Sequence, residues 1–326
     1  MVDGANIPDY MRLLDAEALG RIGHHEFAAR GVVEGFITGH HRSPYKGLSA
    51  EFAEHREYAP GDDIRNLDWR VFGRSDRYFI KQYIEETNLR ATILLDASGS
   101  MRYQGTRAAP RDGRLLTKYE YASRTAALMA HLLINQQDAV GLVTYDTAIR
   151  RYIPARSRPS HLRILLQEMH DAQPGEETDL APIFHDIAEK VPRRGLILIM
   201  SDLFGDADAI IEALHHFRHR KHDVIVFHVM AEEELTFPFD RWSTFFDLEV
   251  DENRIQVDPR AIRSAYVAEV EGFINKIRAG CGQLVIDYVQ MTTATPFDVV
   301  LANYLSRRHA LTAISRGPGM RAAGPS

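Results

Sequence analysis

The chain has 326 residues and a net charge of −6, with 45% apolar and 26% charged residues, the usual composition of a folded globular protein. The acidic balance argues against a nucleic-acid binder, because contacts to phosphates need a surplus of Lys and Arg. The single cysteine, Cys281, excludes an intramolecular disulfide and a thiolate metal cluster, and it favours a reducing, cytoplasmic location. We expect no signal peptide and no membrane span, because no apolar run approaches the bilayer thickness of about 30 Å.

The first 84 residues are predicted to form an amino-terminal appendage to the main domain. Residues 10–36 are typical of a helix interrupted by glycines, whereas residues 40–85 carry many charges of both signs. A turn is expected at 59–62, because Pro60 fixes φ and Gly61 accepts a positive φ. Residues 78–84 predict a strand.

From residue 85 to residue 310, short apolar runs alternate with amphipathic segments, which predicts alternating strands and helices. Strands are predicted at 91–95, 139–145, 195–200, 224–230 and 283–289, with an edge strand at 150–154 and a hairpin over 245–257. Helices are predicted at 118–136, 207–221, 262–277 and 297–305, with two further amphipathic stripes between residues 162 and 191. The fold class is therefore α/β, with a doubly wound, mostly parallel sheet covered on both faces. The tail, 315–326, is expected to be disordered.

Polar side chains follow the carboxyl ends of two predicted strands and also occur in one loop. Asp96, Ser98 and Ser100 follow the first strand of the main domain. Thr178 precedes a helix, and Asp202 follows the strand at 195–200. If the strand order is 3-2-1-4-5-6, the first and fourth strands flank the point of reversal, where such sheets bind ligands. We therefore expect these five side chains to meet in one crevice.

The five side chains offer only oxygen atoms. Two carboxylates and three hydroxyls without His or Cys suit Mg²⁺ or Mn²⁺ rather than Zn²⁺. The hydroxyls are expected to ligate directly, which leaves one position open for an outside ligand. Without metal, Asp96 and Asp202 would repel each other, so Asp202→Asn is expected to leave the apo protein equally or more stable. A simpler interpretation of 96–100 is a helix-entry loop whose serines cap N–H groups.

Together, the D-x-S-x-S segment at 96–100, Thr178 in a G-x-x-T-D-L context and the Ser201-Asp202 pair resemble the metal-ion-dependent adhesion site of von Willebrand factor A domains. A longer signature, at 41–69, resembles the bacterial family known as domain of unknown function fifty-eight (DUF58). The segments that carry it are HRSPYKG (41–47), EF (51–52), REYAPGDDIR (56–65) and LDW (67–69), with DPR (258–260) and AY (265–266) further on. The likeness extends over roughly residues 40 to 305.

The family resemblance implies a partner. Members are typically linked with MoxR-type AAA+ ATPases, in pairs thought to act in maturation or remodelling of other proteins. The metal centre would then bind that ATPase or its client protein. Many members carry amino-terminal membrane spans, and this sequence departs from them in having none.

Enzymatic interpretations are weaker. The sequence has no G-x-x-x-x-G-K-[ST] phosphate-binding loop, so nucleotide chemistry would belong to a partner. A metal-dependent phosphohydrolase with Asp96 as nucleophile needs an acid two residues later, where Ser98 stands. His215 and His219 have zinc-site spacing, but with the neighbouring His216 and His222 they are better explained as a solvated basic face. We predict a non-enzymatic, metal-dependent adaptor, with a metal-free scaffold and, less favoured, a phosphohydrolase as alternatives.

Overall fold

The computed structural model describes residues 8–23, 25, 50–57, 69–75, 77–85, 89–175, 180–191, 194–246, 248 and 254–315. The chain divides into two compact units, one spanning 33–88 and the other comprising 1–32 and 89–326. The predicted disordered tail beyond residue 315 lies outside the described residues, as does the turn at 59–62.

The predicted boundary at residue 84 differs from this division, because the first helical segment belongs to the larger unit. A 3₁₀ helix (Asp9–Leu13) and α1 (Ala16–Ile22) bury Leu13, Ala18 and Ile22. Ion pairs fix the same segment, since Arg111 contacts Asp15 and Arg21 contacts the buried Asp298. Burial of apolar side chains, together with ion pairs to residues distant in the sequence, therefore makes this segment part of the larger unit.

The smaller unit contains β1 (Ala50–Glu57), α2 (Trp69–Ser75) and β2 (Phe79–Glu85). The two strands pair antiparallel, with Ala50 opposite Glu85. The strand predicted at 78–84 is thereby confirmed. Much of the signature at 41–69 lies outside the residues that the structure describes.

The larger unit is built on a six-stranded sheet. Its strands are β3 (Arg90–Asp96), β6 (Ala139–Tyr145), β7 (Ile149–Arg156), β8 (Leu196–Ser201), β9 (Asp223–Met230) and β12 (Asp287–Thr292). Two hairpins lie outside it, formed by β4 (Pro110–Arg111) with β5 (Arg114–Leu115) and by β10 (Ser243–Phe246) with β11 (Arg254–Val257). The order across the sheet is β12-β9-β8-β3-β6-β7, in which β7 runs antiparallel to β6 and the other neighbours pair parallel.

Numbered along the chain, this order is 3-2-1-4-5-6 read from the β7 edge, which is the order on which the expectation of a shared crevice depended. β3 and β8 are neighbours at the reversal. Each is buried along almost its whole length, which fits continuous apolar runs such as residues 196–200 in a sheet covered on both faces.

Helices cover both faces of the sheet. They are α3 (Lys118–Asn135), α4 (Pro159–Asp171), α5 (Leu180–Lys190), α6 (Ala207–His219), α7 (Glu232–Thr236), α8 (Pro259–Gln283) and α9 (Phe297–Ser315). α5 and α6 pack Phe184 and Phe217 on Leu94, Ile197 and Val226 of the sheet. Among the described residues, none of the helices has both the length and the apolar character that crossing a bilayer requires.

Several boundaries near the carboxyl end were predicted too early, including the end of the last helix, which is Ser315 and not residue 305. α8 ends at Gln283 instead of residue 277, and β12 begins at Asp287 instead of residue 283. Glycine inside a helix costs about 1 kcal/mol relative to alanine, so the glycines near Cys281 favour an earlier end. Gly280, however, lies against Ile211 of α6, and an added Cβ would fall 2.6 Å from its Cδ1 atom. Close helix packing needs a glycine there, and this tertiary contact overrides the local propensity.

Candidate metal centre

The carboxyl ends of β3 and β8 bring Asp96, Ser98, Ser100 and Asp202 together. Asp96 is the last residue of β3, and Asp202 directly follows β8. The loop between Ala97 and Ser100 is tied to its surroundings, since the Ala97 carbonyl accepts a hydrogen bond from the Gly175 N–H (2.9 Å). The segment that holds the fifth predicted ligand, Thr178, lies outside the described residues.

Asp96 is buried, and both its carboxylate oxygens already accept hydrogen bonds. Oδ1 accepts from the Ser98 N–H (2.9 Å), and Oδ2 accepts from the Ser201 hydroxyl (2.5 Å). Burial, followed by the negative charge of Asp202, raises the pKa of Asp96 to about 7. The repulsion predicted between the two carboxylates is therefore present, and the group whose pKa it raises is Asp96.

The two serines present their hydroxyls side by side. The Ser98 and Ser100 Oγ atoms are 3.1 Å apart and form a hydrogen bond with each other. Gly99 between them has no room for a side chain, because a Cβ would lie 2.4 Å from the Leu248 carbonyl oxygen. Adjacent oxygen ligands of an octahedral Mg²⁺, each at about 2.1 Å from the ion, are about 3.0 Å apart. The serine pair therefore fits two neighbouring ligand positions.

Arg102 holds the loops around the centre. Its Nη2 atom donates to the Gly175 carbonyl (2.7 Å) and to the Leu248 carbonyl (2.9 Å). One guanidinium thus joins the loop after Asp96, the loop that leads towards Thr178 and the segment after β10.

Lys118, which the sequence analysis missed, is the main cation of the site. Its buried ammonium donates to Asp202 Oδ2 (2.7 Å) and to Glu234 Oε1 (2.5 Å). Burial acts to raise the pKa of Asp202, but the charge and hydrogen bond of Lys118 and a hydrogen bond from Ser100 outweigh it, so the pKa is lowered. The same two acids keep the pKa of Lys118 above its usual value despite burial.

This ion pair corrects the expectation for Asp202→Asn. Asp202 is the ionised partner of a buried lysine, so its replacement removes an ion pair as well as a repulsion with Asp96. The neutral variant is therefore expected to lower, and not to raise, the stability of the apo protein. One signal for Lys118 exists in the sequence: it is the first residue of α3, where the helix dipole disfavours a cation.

His228 contacts the main chain of the candidate site. Its Nε2 atom lies 2.8 Å from the Asp202 carbonyl oxygen, and its Nδ1 atom lies 2.6 Å from the Tyr288 hydroxyl. Burial lowers the pKa of His228 to about 4, so the ring is neutral near pH 7. His228 therefore orients the main chain of Asp202.

Other metal sites receive no support in the described part of the chain, which holds no cluster of three or more His, Cys, Asp and Glu side chains suited to a metal ion. A metal between Asp96 and Asp202 would need the serine hydroxyls. His215 and His219 are exposed, as predicted, but His222 is buried, and burial lowers its pKa to about 4. The predicted solvated face therefore does not include His222.

Comparisons with known proteins identify the family of the chain. The profile of the family described as "Protein of unknown function DUF58" matches residues 54–272. Proteins from Mycobacterium bovis and Mycobacterium tuberculosis, each described as an uncharacterized protein, are 26% identical over 218 residues. The alignment covers 65% of this chain and 65% of each relative, so the chain matches just under two thirds of their length.

Solved structures are similar at lower identity. BatB from Bacteroides thetaiotaomicron is 15% identical with a TM-score of 0.41, and the match covers 68% of this chain and 99% of BatB. The VWA domain of SpRpn10 is 13% identical with a TM-score of 0.38, covering 72% of this chain and all of that domain (100%). These matches concern the fold alone, which is the α/β architecture described above.

Proposed function

The chain belongs to the DUF58 family and has a von Willebrand factor A-like fold, and on that premise we propose that it is a non-enzymatic adaptor that binds a partner protein through a divalent cation. The cation is Mg²⁺ or Mn²⁺. Ser98 and Ser100 hold it directly, and Asp96 and Asp202 contact it directly or through water. Thr178 is the expected fifth ligand.

The serine pair carries this proposal. Its 3.1 Å spacing suits adjacent hydroxyl ligands. In the metal-free domain the two hydroxyls hydrogen-bond each other, and each carboxylate beside them is also held by hydrogen bonds. A cation bound mainly by neutral hydroxyls keeps much of its positive charge. Such an ion attracts a carboxylate from outside the domain strongly, whereas several direct carboxylate ligands would neutralise it. The open coordination position is therefore suited to an Asp or Glu of a partner.

The identity of the partner is supported by the family resemblance of the chain. We propose a MoxR-type AAA+ ATPase or its client protein. The adaptor would supply recognition while the ATPase supplies nucleotide hydrolysis, in maturation or remodelling of other proteins. A cytoplasmic location stays a prediction from the cysteine content.

A second candidate function is a metal-free scaffold of the same fold, and the ion pairs of Lys118 favour it. The ammonium pairs with both Asp202 and Glu234 and balances one of their two negative charges without a metal. In this alternative, partner binding is insensitive to divalent cations.

Calorimetry separates the two candidates. Titration of the full chain with MgCl₂ and MnCl₂ is expected to show one binding site. The Ser98→Ala variant should lose this binding while it keeps the spectroscopic signal of the folded state. Ser123→Ala is the matched control, since Ser123 is equally buried on α3 and is not one of the predicted metal ligands. The absence of any heat or spectroscopic response at millimolar Mg²⁺ and Mn²⁺ would favour the scaffold.

A further inference from the structure

An aromatic groove of about 260 Å³ opens beside the metal centre. It begins at Ser100 and Asp202, two of the predicted metal-site residues. Beyond them it is lined by seven aromatic side chains: Tyr103, Phe204, Phe237, Phe239, Phe245, Phe246 and Tyr266. We call these seven the aromatic groove. A ligand whose carboxylate lies at the metal centre would place its neighbouring residues there.

The floor of the groove is built by ring packing. Phe237 is buried, and its ring lies 5.4 Å from that of Phe245 and 4.4 Å from that of Tyr266. Phe239 packs edge-on against Phe245 with centroids 5.2 Å apart. Arg263 fixes the segment by donating to the carbonyls of Phe237 (3.0 Å) and Phe239 (2.8 Å). The floor is therefore an ordered apolar surface.

Two phenylalanines of the groove face solvent, which the fold alone does not explain. Phe204 and Phe246 are each 66% exposed. Phe204 follows Leu203, which is fully buried and has a positive φ of 53° that branched side chains rarely adopt. The Phe204 N–H donates to Asp202 Oδ1 (3.2 Å). The main chain after Asp202 thus takes a strained conformation that leaves an aromatic ring exposed beside the metal centre.

The charges around the groove restrict what can occupy it. Its lining, as far as the structure describes it, holds Glu233 and Glu234 but neither Lys nor Arg. Nucleic acids and anionic membranes need basic residues at the contact, so both are disfavoured. The carboxy-terminal segment 316–326 of this chain contains no Asp, Glu or aromatic residue and lacks the matching chemistry. An apolar protein segment with one carboxylate fits both the rings and a bound cation.

We propose that the aromatic groove binds an extended segment of a partner protein in which an acidic residue is flanked by large apolar side chains. The carboxylate completes the metal centre, and the apolar side chains bury Phe204 and Phe246. The proposal rests on the proposed function for the metal centre, and it adds the sequence specificity of the partner segment.

Three fluorescein-labelled peptides with a Gly/Ser background test this specificity by fluorescence anisotropy with the full chain in MgCl₂. One has Asp flanked by Phe, one has Asp flanked by Ser, and one has Asn flanked by Phe. The first is expected to bind at least about tenfold more tightly than either other peptide, and EDTA should remove its binding. Phe204→Ala and Phe246→Ala should each weaken it about tenfold while leaving Mg²⁺ affinity unchanged. Ile164→Ala is the control, since Ile164 is 53% exposed and does not line the groove.

The failures are distinguishable. Equal Mg²⁺-dependent binding of both Asp peptides would overturn the groove proposal and leave the metal centre intact. Binding of both Phe peptides that persists in EDTA would overturn the carboxylate contact and, with it, the proposed metal function. Failure of every peptide to bind at about 1 mM would reject the proposal. Self-association lost in Phe204→Ala, seen by sedimentation velocity, would make a second copy the occupant. Co-flotation of the protein with phosphatidylglycerol vesicles would make a membrane the occupant of the groove.

Discussion

Lys118 sets the charge balance at the residue scale. Asp202 and Glu234 share its ammonium, and Asp96 lies beside them with a raised pKa. An incoming divalent cation meets this positive charge, which opposes its binding. We therefore expect the lysine to stabilise the apo domain and to weaken binding at the proposed metal site at the same time.

Lys118→Met is expected to separate these two effects. Removing one partner of a buried ion pair costs roughly 3–5 kcal/mol, because the other charges stay buried and unpaired. The free energy of unfolding in EDTA, measured by urea denaturation, should fall by this order. Loss of a nearby positive charge should tighten Mg²⁺ binding at least about tenfold. A variant with unchanged or weaker Mg²⁺ affinity would contradict the inferred competition between the Lys118 ammonium and the divalent cation.

The control for this substitution is Lys276→Met. Lys276 pairs with Asp208 at 2.6 Å on the surface, where both side chains are largely exposed. Surface pairs contribute about 0–1 kcal/mol, so this variant should change neither stability nor Mg²⁺ affinity measurably.

Asp96 predicts a pH dependence of the apo protein. Its pKa is raised from 3.8 to about 7, so the folded state binds more protons than the unfolded state between these values. The free energy of unfolding should therefore fall as the pH rises from 4 to 7, by at most about 4 kcal/mol from this group. Buried His222 and His228 act in the opposite direction, so the measurement is the difference between wild type and Asp96→Asn in EDTA. A difference that does not change with pH would contradict the prediction.

At the scale of elements, the start of α3 positions Lys118. Thr117 and Glu120 form a capping box, in which the Thr117 hydroxyl accepts from the Glu120 N–H (3.1 Å) and Glu120 Oε2 accepts from the Thr117 N–H (3.0 Å). The cap fixes the first helical turn, and Lys118 is the first residue of that turn. Local helix capping thereby determines where the Lys118 ammonium lies.

Thr117→Ala should therefore affect both stability and metal binding. Loss of an N-cap costs about 1 kcal/mol, and fraying of the first turn should loosen the contact between Lys118 and Asp202. We expect tighter Mg²⁺ binding by calorimetry. Asp206→Ala removes the cap of α6, where the carboxylate accepts from the Ala209 N–H (2.8 Å), at a similar cost. If both variants change Mg²⁺ affinity equally, the effect is global and the assignment to α3 is wrong.

At the scale of the whole molecule, metal binding should stabilise the larger unit, because the proposed ligands follow β3 and β8 at the centre of one sheet. A Mg²⁺ concentration of ten times the Kd adds about 1.4 kcal/mol to the free energy of unfolding. For a chain of this length the shift in Tm is about 2 °C. Asp96→Ala should abolish the shift in thermal denaturation. A shift of equal size in that variant would place the bound cation elsewhere.

The amino-acid sequence by itself determined the alternation of buried strands and helices, and it singled out Asp96, Ser98, Ser100 and Asp202, which the structure brings together. The order of the strands entered the sequence analysis only as a condition, and the tertiary structure supplied it. Apolar runs such as 139–145 and 196–200 reveal buried strands because burial on both faces needs continuous apolar residues. The D-x-S-x-S spacing and the position of Asp202 after a strand are local features, so they could be recognised without coordinates. Parallel strands then bring their carboxyl ends to one edge.

The tertiary structure alone decided the features that depend on residues far apart in the chain. Lys118 and Asp202 are 84 positions apart, and their contact exists because α3 begins beside the end of β8. The same holds for Gly280, whose place inside α8 depends on Ile211 of another helix. The aromatic groove joins Phe204 to the 237–246 segment and Tyr266. Periodicity reports which face of an element is buried, but it does not report which distant side chain meets that face.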